Sequence, residues 1–305
     1  MKKIFITGED GAIALAIKKL ATDFDIKIVN NEVEYLATYN NNKEIDFVFN
    51  PLNFKLAIKQ VQPDIIIHAG AYVGTDYCLN ADYEAIRTNV HGTQKVVDMC
   101  HEFNIKLIYL STTAIFDPKD YSQDKQITEK TNINPQTLYG ITKYAGELIV
   151  KNLCKNDKLI LRPVFGFGDY PNDLHSALTK LCYHIIKKPI NELKILLDKD
   201  IAKNYYRVEN IASIILQLIQ KEIWNESINI GENWTKRKDW YNILGTIHNY
   251  ISPNLDNVMF YPDLDYLGWH NIDNKKMLNL IGKVKNEISF DKGLEMTINS
   301  IKQYE

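Results

Sequence analysis

The stretch of sequence that decides the fold is Lys3-Ile4-Phe5-Ile6-Thr7-Gly8-Glu9-Asp10-Gly11-Ala12-Ile13-Ala14. Its first part is a short apolar run typical of a strand, and its last part begins a helical pattern. Gly8 and Gly11 lie between the two, where glycines allow a tight turn and a close approach of the backbone to a ligand. The helix amino terminus adds free N–H donors and a partial positive charge. The stretch therefore favours a loop that binds the pyrophosphate of a dinucleotide over an ordinary strand-to-helix turn.

Outward from this loop, the first half of the chain alternates short apolar runs with longer helical patterns, as βαβ units around a parallel sheet do. Because several of the runs are apolar throughout, we expect helices on both faces of the sheet. The predicted fold is α/β, a Rossmann-like doubly wound parallel sheet with a smaller mixed α/β lobe near the carboxyl terminus. Strands are predicted at residues 3–6, 26–29, 47–49, 65–69, 107–111 and 159–161, and helices at 12–22, 54–62, 82–103 and 138–153.

The pattern loosens after Arg162. Residues 163–201 and 231–305 are richer in Asn, Asp, Tyr and Trp, whereas residues 205–230 again have a strand-helix-strand pattern. We predict a nucleotide-binding domain made of residues 1–162 plus 202–230, in which the late segment completes the sheet. Residues 163–201 plus 231–305 are predicted to form a substrate-binding lobe over its carboxyl edge.

Composition excludes several classes of protein. The 305 residues are 45% hydrophobic, enough for a large core, and a net charge of -2 favours neither nucleic acid nor an anionic membrane as a partner. The four cysteines form no C-x-x-C pair and no His/Asp/Glu spacing suggests a metal, so we expect reduced thiols and no metal site. The apolar run after Lys2 and Lys3 is too short for a signal peptide or a membrane span. We therefore expect a cytoplasmic protein.

Candidate catalytic residues come from two segments in the middle of the chain. Tyr139 and Lys143 lie four residues apart at the start of a predicted helix, which places them on one face about one turn apart. Because a neighbouring ammonium favours a phenolate, we expect Lys143 to lower the pKa of Tyr139. Thr112 follows a predicted strand, and ligands of such sheets bind at the carboxyl ends of strands. Its hydroxyl is predicted to hold the substrate oxygen that Tyr139 protonates.

These motifs resemble those of the extended short-chain dehydrogenases, a family of sugar-nucleotide epimerases, dehydratases and reductases. The resemblance covers nearly the whole chain, and within the family it is greatest to the dTDP-4-dehydrorhamnose reductases. The matching segments are residues 63–71, 89–93, 111–112, 116–117, 135–147, 161–166, 205–212, 229–231 and 273–282.

The resemblance implies a nicotinamide-dependent enzyme of polysaccharide biosynthesis that acts on a nucleotide-activated sugar. It makes Thr112, Tyr139 and Lys143 catalytic, with Lys143 also binding the nicotinamide ribose. The loop and the resemblance together assign to the cofactor Gly8, Asp10, Gly11, Ala12, Ile13, Asn30, Asn50, Leu52, Ala69, Gly70, Ala71, Asn89, Ser111, Tyr139, Lys143, Pro163 and Val164. The residues assigned to the substrate are Val73, Thr113, Ala114, Phe165, His175 and Arg207.

The choice between NAD and NADP depends on the end of the second strand, where an acidic residue normally holds the ribose 2′-hydroxyl and an Arg accepts a 2′-phosphate. Asn30 and Asn31 stand there instead, and Asp10 disfavours the extra phosphate. We expect NAD or NADP, with a slight preference for NAD. Asn50 replaces the aspartate that many relatives place near the adenine.

The choice of reaction is narrowed because this sequence lacks side chains that other branches of the family use. Ala114 follows Thr113 where the dehydratases have an acidic pair, and it also replaces the cysteine of the GDP-fucose synthases. Dehydration and 3,5-epimerisation are therefore disfavoured, and reduction of a 4-keto sugar is favoured. Two alternatives stay open: an NAD-dependent sugar-nucleotide 4-epimerase and, from a different class, a catalytically silent nucleotide-binding regulatory subunit.

The substrate diphosphate needs local cations, because the chain has no global positive field. Candidate cations are Lys180, Arg207, Lys236 and Arg237, of which Arg207 has the best motif support. Trp234, Trp240 and Trp269 are candidates for stacking on a base, although tryptophans are more often in the core. The resemblance also implies a homodimer through the helices at 82–103 and 138–153.

Overall fold

The structure is a computed structural model that describes residues 1–32, 51–117, 126–168, 176–187, 195–198, 204–232, 258–261 and 272–303. The strands are β1 (Lys2–Thr7), β2 (Ile26–Ile28), β3 (Ile65–His68), β4 (Lys106–Leu110), β5 (Lys158–Pro163), β6 (Phe165–Phe167), β7 (Ile195–Asp198), β8 (Tyr205–Arg207), β9 (Glu226–Ile230) and β10 (Val258–Tyr261). The helices are α1 (Ala12–Leu20), α2 (Pro51–Val61), α3 (Thr75–Asn80), α4 (Asp82–Ile86), α5 (Thr93–Phe103), α6 (Leu138–Leu153), α7 (Ala177–Lys187), α8 (Val208–Gln220), α9 (Lys275–Ile281) and α10 (Phe290–Gln303).

The main sheet of the described chain has six parallel strands in the order β2-β1-β3-β4-β5-β9. From β1 the chain turns to one side to form β2, and it later returns to the other side to form β3. The gap between the carboxyl ends of β1 and β3 is therefore the switch point at which doubly wound sheets bind ligands. This topology confirms the predicted α/β fold.

Helices cover both faces of the main sheet. On one face, α1, α8 and α9 bury residues such as Ile17, Ile215 and Met277 against the strands. On the other face, α2, α5 and α6 bury residues such as Phe54 and Val96. Burial on both faces explains why the strands are apolar throughout.

A smaller region follows β5. There β6 pairs in parallel with β8, and a separate pair joins β7 to β10. Helices α7 and α10 pack around Phe167 and Tyr205 in a third apolar cluster. The division of the chain into two domains stays a prediction, but α9, which was assigned to the lobe, packs into the core of the main sheet through Met277 and Ile281.

The structure differs from the sequence-based elements in several places. The segment at 205–230 completes the main sheet only through β9, because β8 pairs with β6. The predicted helix at 12–22 ends at Leu20 and continues as a 3-10 turn, Ala21–Phe24. The predicted helix at 82–103 is divided by a π-helical segment, Arg87–Gly92. The predicted strand at 47–49 lies outside the described residues.

No helix in the described part of the chain is long and apolar enough to cross a membrane. None of its His, Cys, Asp and Glu side chains form a group that could hold a metal ion. All four cysteines are buried and free of disulfides.

Candidate active site

The glycine-rich loop follows β1 and touches the loop that follows β3. Gly8 has a φ of 67°, in the left-handed region that favours glycine. A Cβ atom at Gly8 would lie 2.5 Å from the Cα atom of Gly70. Gly11 closes the turn by donating its N–H to the carbonyl oxygen of Gly8 at 3.1 Å. The loop after β1 and the loop after β3 can therefore approach each other at the switch point only because Gly8 has no side chain.

The amino terminus of α1 has the properties that a pyrophosphate requires. Gly11 is its N-cap, and no side chain of the described chain bonds to the cap. Its first turn holds no acidic residue, while Gly8, Asp10 and Gly11 are exposed. The N–H groups and the positive end of the helix dipole therefore remain available to an anion, which fits a nicotinamide dinucleotide.

A buried hydrogen-bond chain fixes the start of the β3 loop. Thr7 Oγ1 lies 2.7 Å from His68 Nδ1 and accepts from the N–H of Gly70 at 3.1 Å, while His68 Nε2 lies 3.1 Å from Thr93 Oγ1. Burial lowers the pKa of His68 to about 3, and the charge of Lys143 acts in the same direction. His68 is therefore a neutral link between β1, β3 and α5.

Asn89 links the β3 loop to the helix that carries the candidate catalytic pair. Its Oδ1 accepts from the N–H of Tyr72 at 2.7 Å, and its Nδ2 donates to the carbonyl oxygen of Tyr72 at 2.9 Å and to Thr142 Oγ1 at 3.0 Å. Thr142 in turn donates to the carbonyl oxygen of Tyr139 at 2.9 Å. The predicted cofactor residues Ala69, Gly70 and Ala71 lie between β3 and this clamp.

Thr112 and Tyr139 meet at the carboxyl end of β4. Thr112 Oγ1 accepts from the N–H of Ala114 at 3.2 Å, and the Thr112 side chain is placed so that it lowers the pKa of Tyr139. A Cβ atom at Gly140 would collide with the carbonyl oxygen of Ala114, so the absence of a side chain there lets the 3-10 turn Thr113–Ile115 lie against α6. The first turn of α6 is fixed by Thr137, whose Oγ1 accepts from the N–H of Gly140 at 3.1 Å.

Lys143 lies one turn further along α6, buried above Tyr109 of β4. Its Nζ atom is 4.3 Å from the centre of the Tyr109 ring. The Tyr109 hydroxyl donates to the carbonyl oxygen of Lys143 at 3.1 Å, and Gly146 leaves the space that this hydroxyl fills. The roles of Tyr109, Gly140 and Gly146 were missed from the sequence, because these contacts join residues that are far apart along the chain.

Burial acts on both members of the candidate pair. It raises the pKa of Tyr139 to about 12, against the opposite effect of the Thr112 side chain. It lowers the pKa of Lys143 to about 7, against the opposite effect of the negative charge of Glu147. The expectation that Lys143 lowers the pKa of Tyr139 is therefore wrong, because removal from water disfavours the charged form of each group.

The remaining predicted cofactor residues have varied surroundings. Asn30 is buried, and its side chain accepts from the N–H of Ile6 at 2.9 Å and donates to the carbonyl oxygen of Ile6 at 2.7 Å. It is therefore occupied as a bridge between β1 and the end of β2. Leu52 is 65% exposed on α2. Ser111, Pro163 and Val164 are buried at the ends of β4 and β5, while Ala12 and Ile13 are partly buried in the first turn of α1.

Arg207 is held inside the protein by other side chains and backbone groups. It is fully buried, and its guanidinium donates to both oxygens of Glu209, at 2.6 and 3.0 Å. It also donates to the carbonyl oxygen of Gly293 at 2.8 Å and to Thr297 Oγ1 at 2.9 Å. These contacts tie α8 to α10, so its assignment to the substrate is corrected to a structural role.

The other predicted substrate residues differ in how far they are exposed to solvent and in what they contact. Val73 is exposed after β3, Thr113 is buried and Ala114 is partly buried. Phe165 packs on Tyr205 with ring centres 6.0 Å apart. The Lys180 ammonium lies 5.5 Å from the centre of the Tyr77 ring. Among the predicted cofactor, substrate, cation and stacking residues, those outside the described chain are Asn50, His175, Trp234, Lys236, Arg237, Trp240 and Trp269.

Comparison with known protein families identifies the family of this chain. The RmlD substrate binding domain family matches residues 1–234. The chain belongs to this family. The resemblance to extended short-chain dehydrogenases is thereby confirmed, and the chain is a nicotinamide-dependent enzyme of the sugar-nucleotide reductase and epimerase class.

Individual relatives are distant. The chain is 26% identical to a dTDP-4-dehydrorhamnose reductase of Sinorhizobium fredii over 179 residues, 59% of this chain and 55% of that protein. The structure of RMD from Pseudomonas aeruginosa complexed with NADPH aligns over 99% of this chain and 100% of that chain, at 14% identity and a TM-score of 0.81. A UDP-glucose 4-epimerase from Thermotoga maritima aligns over 99% of both chains, at 16% identity and a TM-score of 0.80. The two structures show that the fold is shared.

Proposed function

We propose that this enzyme reduces a 4-keto sugar nucleotide to the alcohol. The observation that carries the proposal is the arrangement at the carboxyl end of β4, where the side chain of Thr112 acts on the pKa of Tyr139 and α6 carries Lys143 one turn further along. When bound, a reduced nicotinamide supplies the hydride for the carbonyl carbon. Tyr139 gives its proton to the carbonyl oxygen, and Thr112 holds that oxygen in line.

The high pKa of Tyr139 suits the reductive direction. At neutral pH a phenol with a pKa of about 12 keeps its proton and can donate it when negative charge develops on the substrate oxygen. Thr112 Oγ1 accepts from the N–H of Ala114, and a hydroxyl that accepts one hydrogen bond still has its own hydrogen to donate, which would pass from Tyr139 to the substrate oxygen when a substrate is bound. The pair thus offers two donors to one oxygen, as stabilisation of a developing alkoxide requires.

Reduction is favoured over dehydration because no acid follows Thr112. The next two residues are Thr113, which is buried, and Ala114, whose carbonyl oxygen faces Gly140. A 4-epimerase is the second candidate, and the shared fold with a UDP-glucose 4-epimerase supports it. Mass spectrometry of ligands released from freshly purified protein separates the two, since retained NAD favours the epimerase and an empty site favours the reductase.

We infer a slight preference for NAD. Because the side chain of Asn30 is held by Ile6, the preference rests on the exposed carboxylate of Asp10 beside the α1 amino terminus. Replacing Asp10 by Asn should strengthen binding of NADPH more than binding of NADH, by about threefold to tenfold for removal of one repulsive charge near the surface. Equal changes for the two nucleotides, measured by their fluorescence, would refute this basis.

The proposed assembly is a homodimer. Helices α4 and α6 carry exposed apolar side chains, among them Tyr83, Ile86, Ile141 and Leu148. Analytical ultracentrifugation is expected to give twice the chain mass for the wild type and the chain mass for Leu148→Glu. A monomeric wild type contradicts the assembly.

The direct test of the reaction uses 4-keto sugar nucleotides with NADH or NADPH and follows loss of absorbance of the reduced nucleotide. Tyr139→Phe removes the proton donor without changing the shape of the ring, so we expect a loss of at least about a hundredfold in kcat. Turnover that survives in this variant would rule out the assigned acid. Thr112→Val should lower kcat less, because it leaves the phenol in place.

A further inference from the structure

Three ionisable side chains are buried on α6 and β5, in the part of the fold that carries Tyr139. Lys143, Glu147 and Arg162 are each at most 5% exposed. Glu147 follows Lys143 by one turn on the same face of α6. Arg162 reaches it from β5 with two parallel hydrogen bonds, Nε to Oε1 at 2.9 Å and Nη2 to Oε2 at 2.7 Å.

Stability alone gives a weak reason to keep such a pair. Taking a carboxylate and a guanidinium out of water costs free energy that their attraction barely repays, and apolar residues of similar volume often serve as well. Arg162 also keeps a buried Nη1 for which the described chain offers no hydrogen-bond partner. The arrangement therefore calls for a reason other than packing, and the candidate catalytic residue one turn away on the same face of α6 is Lys143.

The groups around Lys143 leave Glu147 as its source of negative charge within the described chain. The ring of Tyr109 lies under Nζ, and His68 of β3 is neutral because burial holds its pKa at about 3. The phenol of Tyr139 is protonated at neutral pH, and Cys78 of α3 faces Tyr139 as a thiol whose pKa is raised by burial. The carboxylate of Glu147 opposes the desolvation of Lys143.

We propose that Glu147, clamped by Arg162, is a positioning residue whose carboxylate, one helical turn away, helps to keep the Lys143 amine charged. This inference rests on the proposed function in one respect, since it takes Lys143 as the group that holds the nicotinamide ribose. The two hydrogen bonds from Arg162 fix the carboxylate, so the charge that acts on Lys143 stays at one distance. The clamp also joins α6 to β5, the strand that ends at Pro163.

The test measures the pH dependence of NADH binding by fluorescence, from about pH 6 to pH 9. In the wild type, binding should weaken above a midpoint near the Lys143 pKa of about 7, as the ammonium loses its proton. Glu147→Gln keeps the shape and removes the charge, so the midpoint should move to lower pH. A shift of one unit weakens NADH binding about tenfold at pH 8.5 and less than about twofold at pH 6.

Another buried pair, Arg207 and Glu209, is joined by two hydrogen bonds in the same way and provides a matched control. Glu209→Gln makes the same chemical change far along the chain from Lys143, and it should leave the midpoint where it is. Arg162→Lys leaves the Glu147 carboxylate intact and keeps a positive charge beside it, so its midpoint should stay close to that of the wild type. If Glu147→Gln does not fold, Glu147→Asp, which moves the carboxylate, takes its place with a smaller shift in the same direction.

The inference is overturned if the folded Glu147 variant weakens NADH binding by the same factor at every pH, or if Glu209→Gln shifts the midpoint equally. Failure of this inference can be distinguished from failure of the proposed function. A wild type that binds NADH but reduces no 4-keto sugar nucleotide refutes the reaction while the shift in the binding midpoint still tests Glu147. Turnover with an unmoved midpoint refutes the role of Glu147 alone.

Discussion

Burial acts in opposite directions on the pKa values of Tyr139 and Lys143, raising the first to about 12 and lowering the second to about 7. The four-residue spacing of the pair predicted their common helix face, and the structure bears that out. Spacing could not predict the direction of the shifts, because these depend on how much water is removed from each group. For a proton donor the result is favourable, since an ionised phenol could not donate.

At the glycine-rich loop, Gly8→Ala should abolish NADH binding. The new Cβ would require a φ of 67° that alanine rarely adopts, and it would lie 2.5 Å from the Cα atom of Gly70. Either strain displaces the loop from the α1 amino terminus. Fluorescence titration with NADH measures the loss, and circular dichroism checks that the variant is folded. Wild-type affinity in a folded Gly8→Ala would mean that the loop does not contact the dinucleotide.

Gly146→Ala should destabilise the protein through Tyr109. The added methyl would overlap the Tyr109 hydroxyl and lie 2.8 Å from its Cζ atom, and overpacking of this kind costs about 1–3 kcal/mol. Tyr109→Phe removes the oxygen that collides, so the double variant should regain part of the loss measured by urea unfolding. If the two single effects simply add, the collision is not the cause.

At the scale of elements, the active site depends on the contact between the 3-10 turn Thr113–Ile115 and the first turn of α6. Gly140→Ala would push the Ala114 carbonyl away and so separate Thr112 from Tyr139. We expect kcat for the proposed reduction to fall by up to about a hundredfold to a thousandfold, the range for loss of a well-placed catalytic hydrogen bond, with NADH affinity little changed. Comparable losses of kcat and NADH affinity would instead indicate general disruption of α6.

The elements that sequence patterns predicted well are those with strong local periodicity. The described strands of the main sheet from β1 to β5 and the helix Leu138–Leu153 were predicted to within about two residues. The π-helical segment Arg87–Gly92 was not, because an i to i+5 bond leaves little trace in the apolar pattern. Arg207 shows the same limit at the candidate site: its motif suggested a ligand for the substrate, but only the fold shows that Glu209, Gly293 and Thr297 engage it.

On the scale of the whole molecule, buried bases connect the layers of the fold and make its stability depend on pH. His68 joins β1, β3 and α5, and Lys143 joins α6 to β4. Both have pKa values well below their ordinary ones, so between the folded and the ordinary value the unfolded chain binds a proton that the folded chain does not. The free energy of unfolding therefore rises with pH across each window.

The two windows are separate, which allows each group to be tested. For His68 the window runs from about pH 3 to 6.5, and for Lys143 from about pH 7 to 10.5. Within a window one group changes the free energy of unfolding by up to about 1.4 kcal/mol per pH unit. Urea unfolding at several pH values should show a flatter profile below pH 6.5 in His68→Gln and above pH 7 in Lys143→Met, each relative to the wild type. A His68→Gln profile parallel to that of the wild type between pH 5 and 6.5 would show that His68 is not buried as a neutral base.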